Sequence, residues 1–409
     1  MPDVLQDPSL AALRVAADAE LHDNILPFWE ERAFTGDWIV GVVTDDLDVV
    51  DDVPRHSVLV SRILWTFSSA AQAEGDRNLR ERWLAVAEKA FRLIVDRYWD
   101  RQRGGVYWSL NPDGSPFEDR KQVYAQGFAL YGLVEWARTT GDPAVLDLAW
   151  QMFGAIETHA REPVHGGYLE ALTRDWSPLK SMALSERDLN VPKSMNTNLH
   201  VLEAYTNLTA LTGDDRVRAA LRDLLRVFLD RIVVDTPWTH CQLFSTLDWR
   251  QRTSNISFGH DIEASWLLWE TALAVGDEGL ISRTRKVALS LADAVLDHGV
   301  DPDGSILYEA IPTRIVEPEK HWWPQAEGVI GWLNAYRLTG DVRYRDAALA
   351  TWDFIEDRVV DRVNGEWFSV LSRKGEPLPR HPGSMKIGPW KGPYHNSRVC
   401  LEIMRRIPG

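Results

Sequence analysis

Six stretches of the chain carry apolar residues in long runs at helical spacing, and they predict the helices on which the fold is built. In each stretch the apolar positions recur three or four residues apart, which indicates a helix with a wide buried face. A further helical stretch precedes each one, so the helices form outer and inner pairs. The predicted inner helices cover residues 58–73, 122–139, 196–211, 260–275, 324–338 and 396–407.

Gly-Asp dipeptides follow the first five of these patterns. Glycine just past an apolar helix caps its C-terminus, and an aspartate beside it begins the next helix. Each dipeptide therefore predicts the tight corner of a helical hairpin. The five are Gly75-Asp76, Gly141-Asp142, Gly213-Asp214, Gly276-Asp277 and Gly340-Asp341.

Short β-like runs after a turn form a second series that alternates with the first. They lie at residues 36–38, 104–108, 166–168, 243–245, 304–308 and 365–368. Six copies at hairpin spacing indicate six repeats. Six hairpins that close into a ring hide the apolar faces that an open array would expose at its ends. The predicted fold is all-α, an (α/α)6 toroid in a single domain over residues 1–409, with β-excursions at one mouth.

Polar and aromatic residues that are unusual in a core cluster where the predicted inner helices begin. In a toroid these helices run in one sense, so their N-terminal ends meet at one mouth, where free N–H groups favour oxygen-rich ligands. His260 and Glu263 share a helix face, so we expect Glu263 to hold the histidine ring. The clustered residues are Arg62, Tyr124, Gln126, Asn196, His200, His260, Glu263, Trp322, Trp323, Glu327, Trp390 and His395.

The composition narrows the class of ligand. A formal charge of -15 argues against nucleic acid and against anionic membrane surfaces, because both require clustered Lys and Arg. The 19 tryptophans fit either a sugar site lined by aromatic faces or the packing of a large helical core. We expect a neutral small molecule as the partner.

The sequence shows no targeting segment or disulfide framework. Residues 1–27 lack the basic and apolar regions of a signal peptide and predict an acidic amphipathic helix. No apolar run approaches the roughly 18 residues that span a membrane. Cys241 and Cys400 alone make no disulfide framework. We expect a cytoplasmic protein, either a monomer or a homodimer.

Three histidines reach the predicted mouth from repeats three, four and six, and they indicate proton transfer. They are His200, His260 and His395. Histidine titrates near neutral pH, so two rings on opposite sides of a substrate would remove a proton from one face of a carbon and return one to the other. Arg62 is placed to stabilise the oxyanion of an enediolate formed beside a carbonyl.

Two other kinds of chemistry compete for these residues. Three histidines and a glutamate could hold a metal ion, but metal-site motifs such as H-E-x-x-H and C-x-x-C are absent. A glycosidase would use paired carboxylates, for which Glu263, Glu309 and Glu327 are available, but that reaction leaves the histidines without a role. We expect no metal.

Several motifs resemble the N-acylglucosamine 2-epimerase superfamily, and within it the cellobiose 2-epimerase branch. The similarity extends over nearly the whole chain from about Trp29 onward. The motifs are RILWTFS at 62–68, GGVYWS at 104–109, KSMNTNLHVLEAY at 193–205, GHDIEASWLL at 259–268, WWPQAE at 322–327 and PYHNSR at 393–398. The resemblance implies an (α/α)6 barrel without a cofactor that interconverts glucose and mannose configurations at C2 of a reducing-end sugar.

The resemblance also implies roles for individual residues. His260 and His395 would be the acid/base pair, Arg62 the oxyanion partner and His200 an assistant in ring opening, while Glu263 would orient a catalytic histidine. The residues implied to hold the sugar are Tyr124, Asp188, Asn196, Trp322, Glu327 and Trp390.

Three departures from the family pattern bear on the substrate. Asn198 replaces a frequent histidine, Ser61 replaces a usual asparagine, and residues 53–56 differ from the familiar approach to the first inner helix. Two alternatives remain open, an aldose-ketose isomerase or 2-epimerase acting on free mannose or glucose, and a toroidal glycosidase or sugar-binding protein. Epimerase and isomerase share the enediolate and differ in whether the proton returns to C2 or to C1.

Overall fold

The computed structural model describes residues 4–408, and its helices alternate between an outer and an inner layer. In chain order they are α1 (Ser9–Ala19), α2 (Leu26–Arg32), α3 (Ser57–Ala73), α4 (Arg77–Leu93), α5 (Val123–Thr140), α6 (Pro143–Ala155), α7 (Met195–Thr212), α8 (Asp215–Val227), α9 (Phe258–Val275), α10 (Glu278–His298), α11 (Trp322–Thr339), α12 (Val342–Phe354) and α13 (Tyr394–Arg406). A short 3-10 turn, Val4–Gln6, precedes them. Five π-helical segments extend the outer helices, Glu20–Ile25, Ile94–Tyr98, Ile156–Ala160, Phe228–Ile232 and Ile355–Val359.

The inner helices form a closed ring. Helices α3, α5, α7, α9, α11 and α13 each pack against the next, and α13 packs against α3. Outer helices α4, α6, α8, α10 and α12 cover the ring, and α1 packs on α13, so the two ends of the chain together complete the sixth hairpin. The predicted (α/α)6 toroid is confirmed, and each inner helix begins and ends within two residues of its predicted bounds. No helix within residues 4–408 has the length and hydropathy needed to cross a membrane.

Short antiparallel sheets join neighbouring repeats at the N-terminal ends of the inner helices. Strands β5 (Arg55–His56), β8 (Lys121–Gln122), β10 (Lys193–Ser194), β14 (Ile256–Ser257) and β17 (Lys320–His321) directly precede α3, α5, α7, α9 and α11, and each pairs with a strand of the following repeat. The strands are β1 (Phe34–Thr35), β2 (Trp38–Ile39), β3 (Val42–Val43), β4 (Val49–Val50), β5 (Arg55–His56), β6 (Ser109–Leu110), β7 (Pro116–Glu118), β8 (Lys121–Gln122), β9 (Ala171–Leu172), β10 (Lys193–Ser194), β11 (Val233–Val234), β12 (His240–Cys241), β13 (Phe244–Ser245), β14 (Ile256–Ser257), β15 (Glu309–Ile311), β16 (Arg314–Glu317), β17 (Lys320–His321) and β18 (Val370–Leu371). The β-excursions thus fix how one repeat sits beside the next.

The fourth residue of three inner helices clamps a β-excursion to its helix. The Gln126 side chain accepts the backbone N–H of Val106 at 2.8 Å and donates to the carbonyl of the same residue at 2.9 Å. The same double contact joins Asn198 to Tyr168 and Gln325 to Ile306. A primary amide carries both a donor and an acceptor, so it can bond to the carbonyl and to the N–H of one backbone residue at the same time. Gln126, expected at the mouth, is therefore a buried structural clamp.

The Gly-Asp corners form as predicted in four of five cases. Gly141 ends α5 with φ +68°, and the Asp142 side chain accepts the N–H of Ala144. Gly213, Gly276 and Gly340 end their helices in the same left-handed conformation. The first corner differs, because α3 ends at Glu74 in extended backbone and Gly75 has no left-handed φ.

This difference predicts opposite effects of the same substitution. Gly141→Ala places a Cβ in the left-handed region and should lower the free energy of unfolding by about 1 kcal/mol. Gly75→Ala meets no atom within 4 Å and needs no left-handed residue, so it should leave stability unchanged or raise it by up to about 1 kcal/mol. Urea denaturation of both variants compares the two corners. Equal losses would contradict the backbone explanation.

Candidate active site

Arg62 and Tyr124 form one wall of the pocket at the mouth. Arg62 Nη2 donates to the Tyr124 hydroxyl at 2.8 Å, and the guanidinium lies 4.4 Å from the centre of the Phe128 ring. Burial raises the pKa of Tyr124 to about 12, so the phenol stays neutral. Arg62 Nε is buried without a hydrogen-bond partner among the described residues. The arginine thus brings a fixed positive charge to the pocket.

His200 lies beside this wall and is held by a carboxylate on its own helix. Its Nδ1 lies 2.9 Å from Glu203 Oε2, and both side chains are buried. The ring meets Tyr124 edge-on, with ring centres 5.1 Å apart. Because a carboxylate only accepts hydrogen bonds, Nδ1 carries the hydrogen and donates it to Glu203.

His395, in the first turn of α13, has the same kind of support from another helix. Its Nδ1 lies 2.6 Å from Glu327 Oε1, and Glu327 Oε2 accepts the indole N–H of Trp266 at 3.1 Å. Burial and then the positive charges of Arg62 and Arg398 lower the pKa of His395 well below its ordinary value. The ring is therefore a neutral base whose Nε2 is free to take a proton.

His260, in the first turn of α9, is held differently. Its Nδ1 lies 2.8 Å from Ser257 Oγ, and its ring lies 4.7 Å from that of Trp323. Desolvation, with a smaller effect from His200, lowers the pKa of His260 to about 3. Within residues 4–408, no hydrogen bond joins His260 to Glu263, so the expected pairing of these two side chains was wrong.

Two contacts replace the expected pair: His260 Nδ1 lies against Ser257 Oγ, and Glu263 bonds to Arg398, which the sequence analysis did not single out. Its Nη2 donates at 2.6 Å to both Glu263 and Glu327, and its Nη1 donates to Glu203. The side chain is 1% exposed. Glu263 therefore turns towards Arg398, and burial followed by the charge of Glu327 raises the pKa of Glu263 to about 7. A signal was present, because Arg398 follows His395 by three residues and shares its helix face.

Glu263, Glu327 and His395 each offer a metal-ligand atom, and these atoms lie within 4.8 Å of one another. Arg398 already donates hydrogen bonds to both carboxylates. The guanidinium supplies positive charge at the position where a cation would be attracted, so the three residues are better matched to the arginine than to a metal.

The residues expected to hold the sugar surround this centre at different distances. The Trp322 ring lies 5.4 Å from that of His395. Trp390 is 41% exposed, with ring centres 6.0 Å from Trp108 and 6.1 Å from Tyr124. Asn196 is half-buried in the first turn of α7, and its side-chain oxygen has no hydrogen-bond partner among the described residues.

Asp188 lies outside the histidine cluster, on the loop before α7. It accepts a hydrogen bond from Ser185 Oγ at 2.6 Å, and desolvation raises its pKa. Its charge nevertheless contributes to the raised pKa values of Tyr124 and Tyr308. The loop therefore brings Asp188 near the mouth, but no hydrogen bond within residues 4–408 links it to the three histidines.

Comparison with known proteins agrees with this architecture. Residues 41–387 match the family model described as N-acylglucosamine 2-epimerase (GlcNAc 2-epimerase). The chain belongs to this family. A cellobiose 2-epimerase of Bacteroides fragilis is 41% identical over 395 residues, 96% of this chain and 98% of the relative. A cellobiose 2-epimerase of Dictyoglomus turgidum is 34% identical, covering 97% of this chain and 100% of the relative.

Solved structures confirm the fold. The cellobiose 2-epimerase of Spirochaeta thermophila superposes with a TM-score of 0.88 at 40% identity, covering 98% of both chains. A D-mannose isomerase superposes with a TM-score of 0.81 at 19% identity, covering 96% of this chain and 97% of the isomerase. The second likeness concerns the fold alone.

The arrangement around Arg398 predicts a pH-dependent loss of stability. Arg398→Met leaves Glu203, Glu263 and Glu327 buried without their cation, which should lower the free energy of unfolding by about 3–5 kcal/mol at pH 8. The loss should be smaller at pH 5, because buried carboxyls without a cation have raised folded-state pKa values and bind protons there. Urea denaturation at the two pH values measures the difference.

A matched control lies on the same helix. Arg405 also pairs with glutamates, Glu270 and Glu402, but its side chain is 63% exposed. Arg405→Met should change stability by no more than about 1 kcal/mol. A similar loss in both variants, or a loss for Arg398→Met that does not vary with pH, would contradict the role given to the buried guanidinium.

Proposed function

We propose that this chain is a cofactor-independent carbohydrate 2-epimerase that interconverts the glucose and mannose configurations at C2 of the reducing-end residue of cellobiose-type β-1,4-disaccharides. Family membership and the two cellobiose 2-epimerases of 41% and 34% identity support the reaction class and the substrate class. The observation that carries the mechanism is the placement of His260 and His395 against one indole. Their ring centres lie 4.7 and 5.7 Å from that of Trp323.

The proposed reaction begins on the open-chain sugar, and His200 assists ring opening. One neutral histidine takes the proton from C2 through Nε2. The electron pair of the broken C–H bond forms the C1–C2 double bond, and the C1 carbonyl oxygen becomes an oxyanion. Arg62 stabilises this charge, which is present in the enediolate but not in the substrate. A proton returned to the other face of C2 gives the epimer.

Aromatic residues at the mouth favour a disaccharide over a free hexose. Trp390 is half-exposed and lies near Trp108 and Tyr124, and Tyr124 contacts His200, so aromatic side chains continue outward from the histidines. Sugar rings present C–H faces that pack on such surfaces. Asn196, Asp188 and Trp322 are proposed to hold the sugar.

A glycosidase is disfavoured by the surroundings of the carboxylates it would need. Glu263 and Glu327 share one amino group of Arg398, and Glu309 accepts a hydrogen bond from Asn255 at 2.9 Å. Glu263 and Glu327 are therefore held together by one guanidinium and do not face each other across a space for a glycosidic bond, which leaves Glu309 without a partner carboxylate among these three residues.

The reaction is tested with cellobiose in heavy water that contains a metal chelator. We expect the C2 epimer, 4-O-β-glucosylmannose, with deuterium at C2, because a histidine open to water returns a solvent-derived proton. Chromatography and NMR identify the product and the labelled carbon. Ketose as the main product would favour the isomerase, glucose release would favour the glycosidase, and activity restored only by added metal would contradict a metal-free reaction.

Two substitutions test the acid/base pair. His260→Asn and His395→Asn keep much of the side-chain volume but remove proton transfer, so each should lower kcat by on the order of 100-fold or more. His298→Asn is the control, since this histidine lies at the exposed end of α10 and stacks on Trp238. It should leave kcat unchanged. A folded His260 or His395 variant with wild-type turnover would remove that ring from the mechanism.

A further inference from the structure

The three histidines of the site differ in what holds Nδ1. His200 and His395 each face a carboxylate, Glu203 and Glu327. His260 faces the neutral hydroxyl of Ser257 at 2.8 Å. A carboxylate only accepts, so it fixes one tautomer, whereas a hydroxyl both donates and accepts. Nδ1 of His395 also lies 3.5 Å from Arg398 Nη2, and of the three rings His260 alone faces a hydroxyl at Nδ1.

Ser257 lies at a position where its hydroxyl would ordinarily serve the helix. It immediately precedes α9, as Ser194 immediately precedes α7. Ser194 Oγ accepts the backbone N–H of Thr197 at 3.1 Å and caps its helix. Ser257 makes no such cap. A serine N-cap ordinarily stabilises its helix by accepting a backbone N–H, and at α9 the hydroxyl contacts His260 instead.

The surroundings hold both Ser257 and the imidazole in place. Ser257 is 2% exposed and pairs with Glu309 in the sheet of β14 and β15. The other side of His260 meets Trp323, which packs so closely on α9 that a Cβ on Gly259 would lie 2.6 Å from its ring. The imidazole is therefore held between a tilted indole on one side and one hydroxyl at Nδ1.

We propose that Ser257 is a positioning residue that acts through His260, directing Nε2 to the substrate and supporting the ring both as a proton acceptor and as a hydrogen-bond donor. When Nδ1 carries hydrogen it donates to Oγ, and Nε2 takes the C2 proton. When Nε2 carries the hydrogen instead, Oγ–H donates to Nδ1, and the ring donates to a sugar oxygen. This role rests on the proposed epimerase function.

The proton passes from C2 to His260 without involving the hydroxyl proton of Ser257. The C2–H bond breaks, its electron pair enters the C1–C2 bond of the enediolate, and Nε2–H forms on His260. Nδ1–H continues to donate to Ser257 Oγ in the resulting imidazolium. Ser257 neither gains nor loses a proton in this step, so removing it disturbs the ring without removing a reactant.

Ser257→Ala tests the role, because it deletes the hydroxyl and leaves the fold of the strand intact. Loss of one hydrogen bond should lower kcat about 3- to 10-fold with little change in KM. The decisive measurement is made in heavy water at low conversion. It compares the fraction of recovered cellobiose that carries deuterium at C2 with the fraction of the epimer that carries it, as a ratio. Since only one of two proton carriers is disturbed, this ratio should shift at least about 2-fold in Ser257→Ala.

Two further variants make the outcome unambiguous. Ser257→Thr keeps a hydroxyl and should return the ratio towards the wild-type value, while Ser194→Ala should lose helix stability with the ratio unchanged. An active wild type whose ratio is the same in folded Ser257→Ala would overturn this inference alone. A wild type that does not epimerise cellobiose would overturn the proposed function and this inference together.

Discussion

The buried guanidinium of Arg398 is the constraint on which the pocket depends. A cation removed from water costs several kcal/mol unless its surroundings compensate, and here the compensation comes from three different helices. Glu203 lies on α7, Glu263 on α9 and Glu327 on α11, and Arg398 itself lies on α13. These four side chains meet only when the ring is closed in register. The same contacts that make the closed ring specific also hold the carboxylates that position His200 and His395.

A second layer of buried polar contacts fixes the mouth from outside this centre. Lysines that precede or lie near the inner helices pair with carboxylates that follow the outer helices, as in Lys121 with Asp100 at 3.1 Å. Related pairs are Lys193 with Glu162, Lys320 with Asp303 and Lys386 with Asp361. Several of these carboxylates also accept backbone N–H groups of the turn that follows them. The loops that carry the site are therefore tied to the scaffold repeat by repeat.

Much of the fold and part of the site could be predicted from the sequence. Local patterns determine where helices begin and end, but they do not determine which buried side chains pair. Periodicity and Gly-Asp corners are local signals, so the inner helices and the ring were predicted correctly. Partner choice is not local. The spacing H-x-x-E occurs at His200-Glu203 and at His260-Glu263, but only the first pair forms. Glu203 contacts both His200 and Arg398, whereas Glu263 contacts Arg398 and the ring of His260 contacts Ser257 instead. Similarly, nothing in the local pattern around Gln126 distinguishes a backbone clamp from a pocket residue.

The charges of the pocket explain why neutral histidines suit the proposed chemistry. Burial and the guanidinium of Arg62 keep the proton off His395 in the free protein. When a proton leaves C2, the enediolate places a negative charge beside Arg62, and the penalty on a nearby imidazolium falls as that charge appears. Glu327 is already hydrogen-bonded to the ring and stabilises the imidazolium at Nδ1. The pocket therefore favours the charged pair of enediolate and imidazolium only once the substrate supplies the anion. Protonation of His395 is thus coupled to removal of the proton from C2.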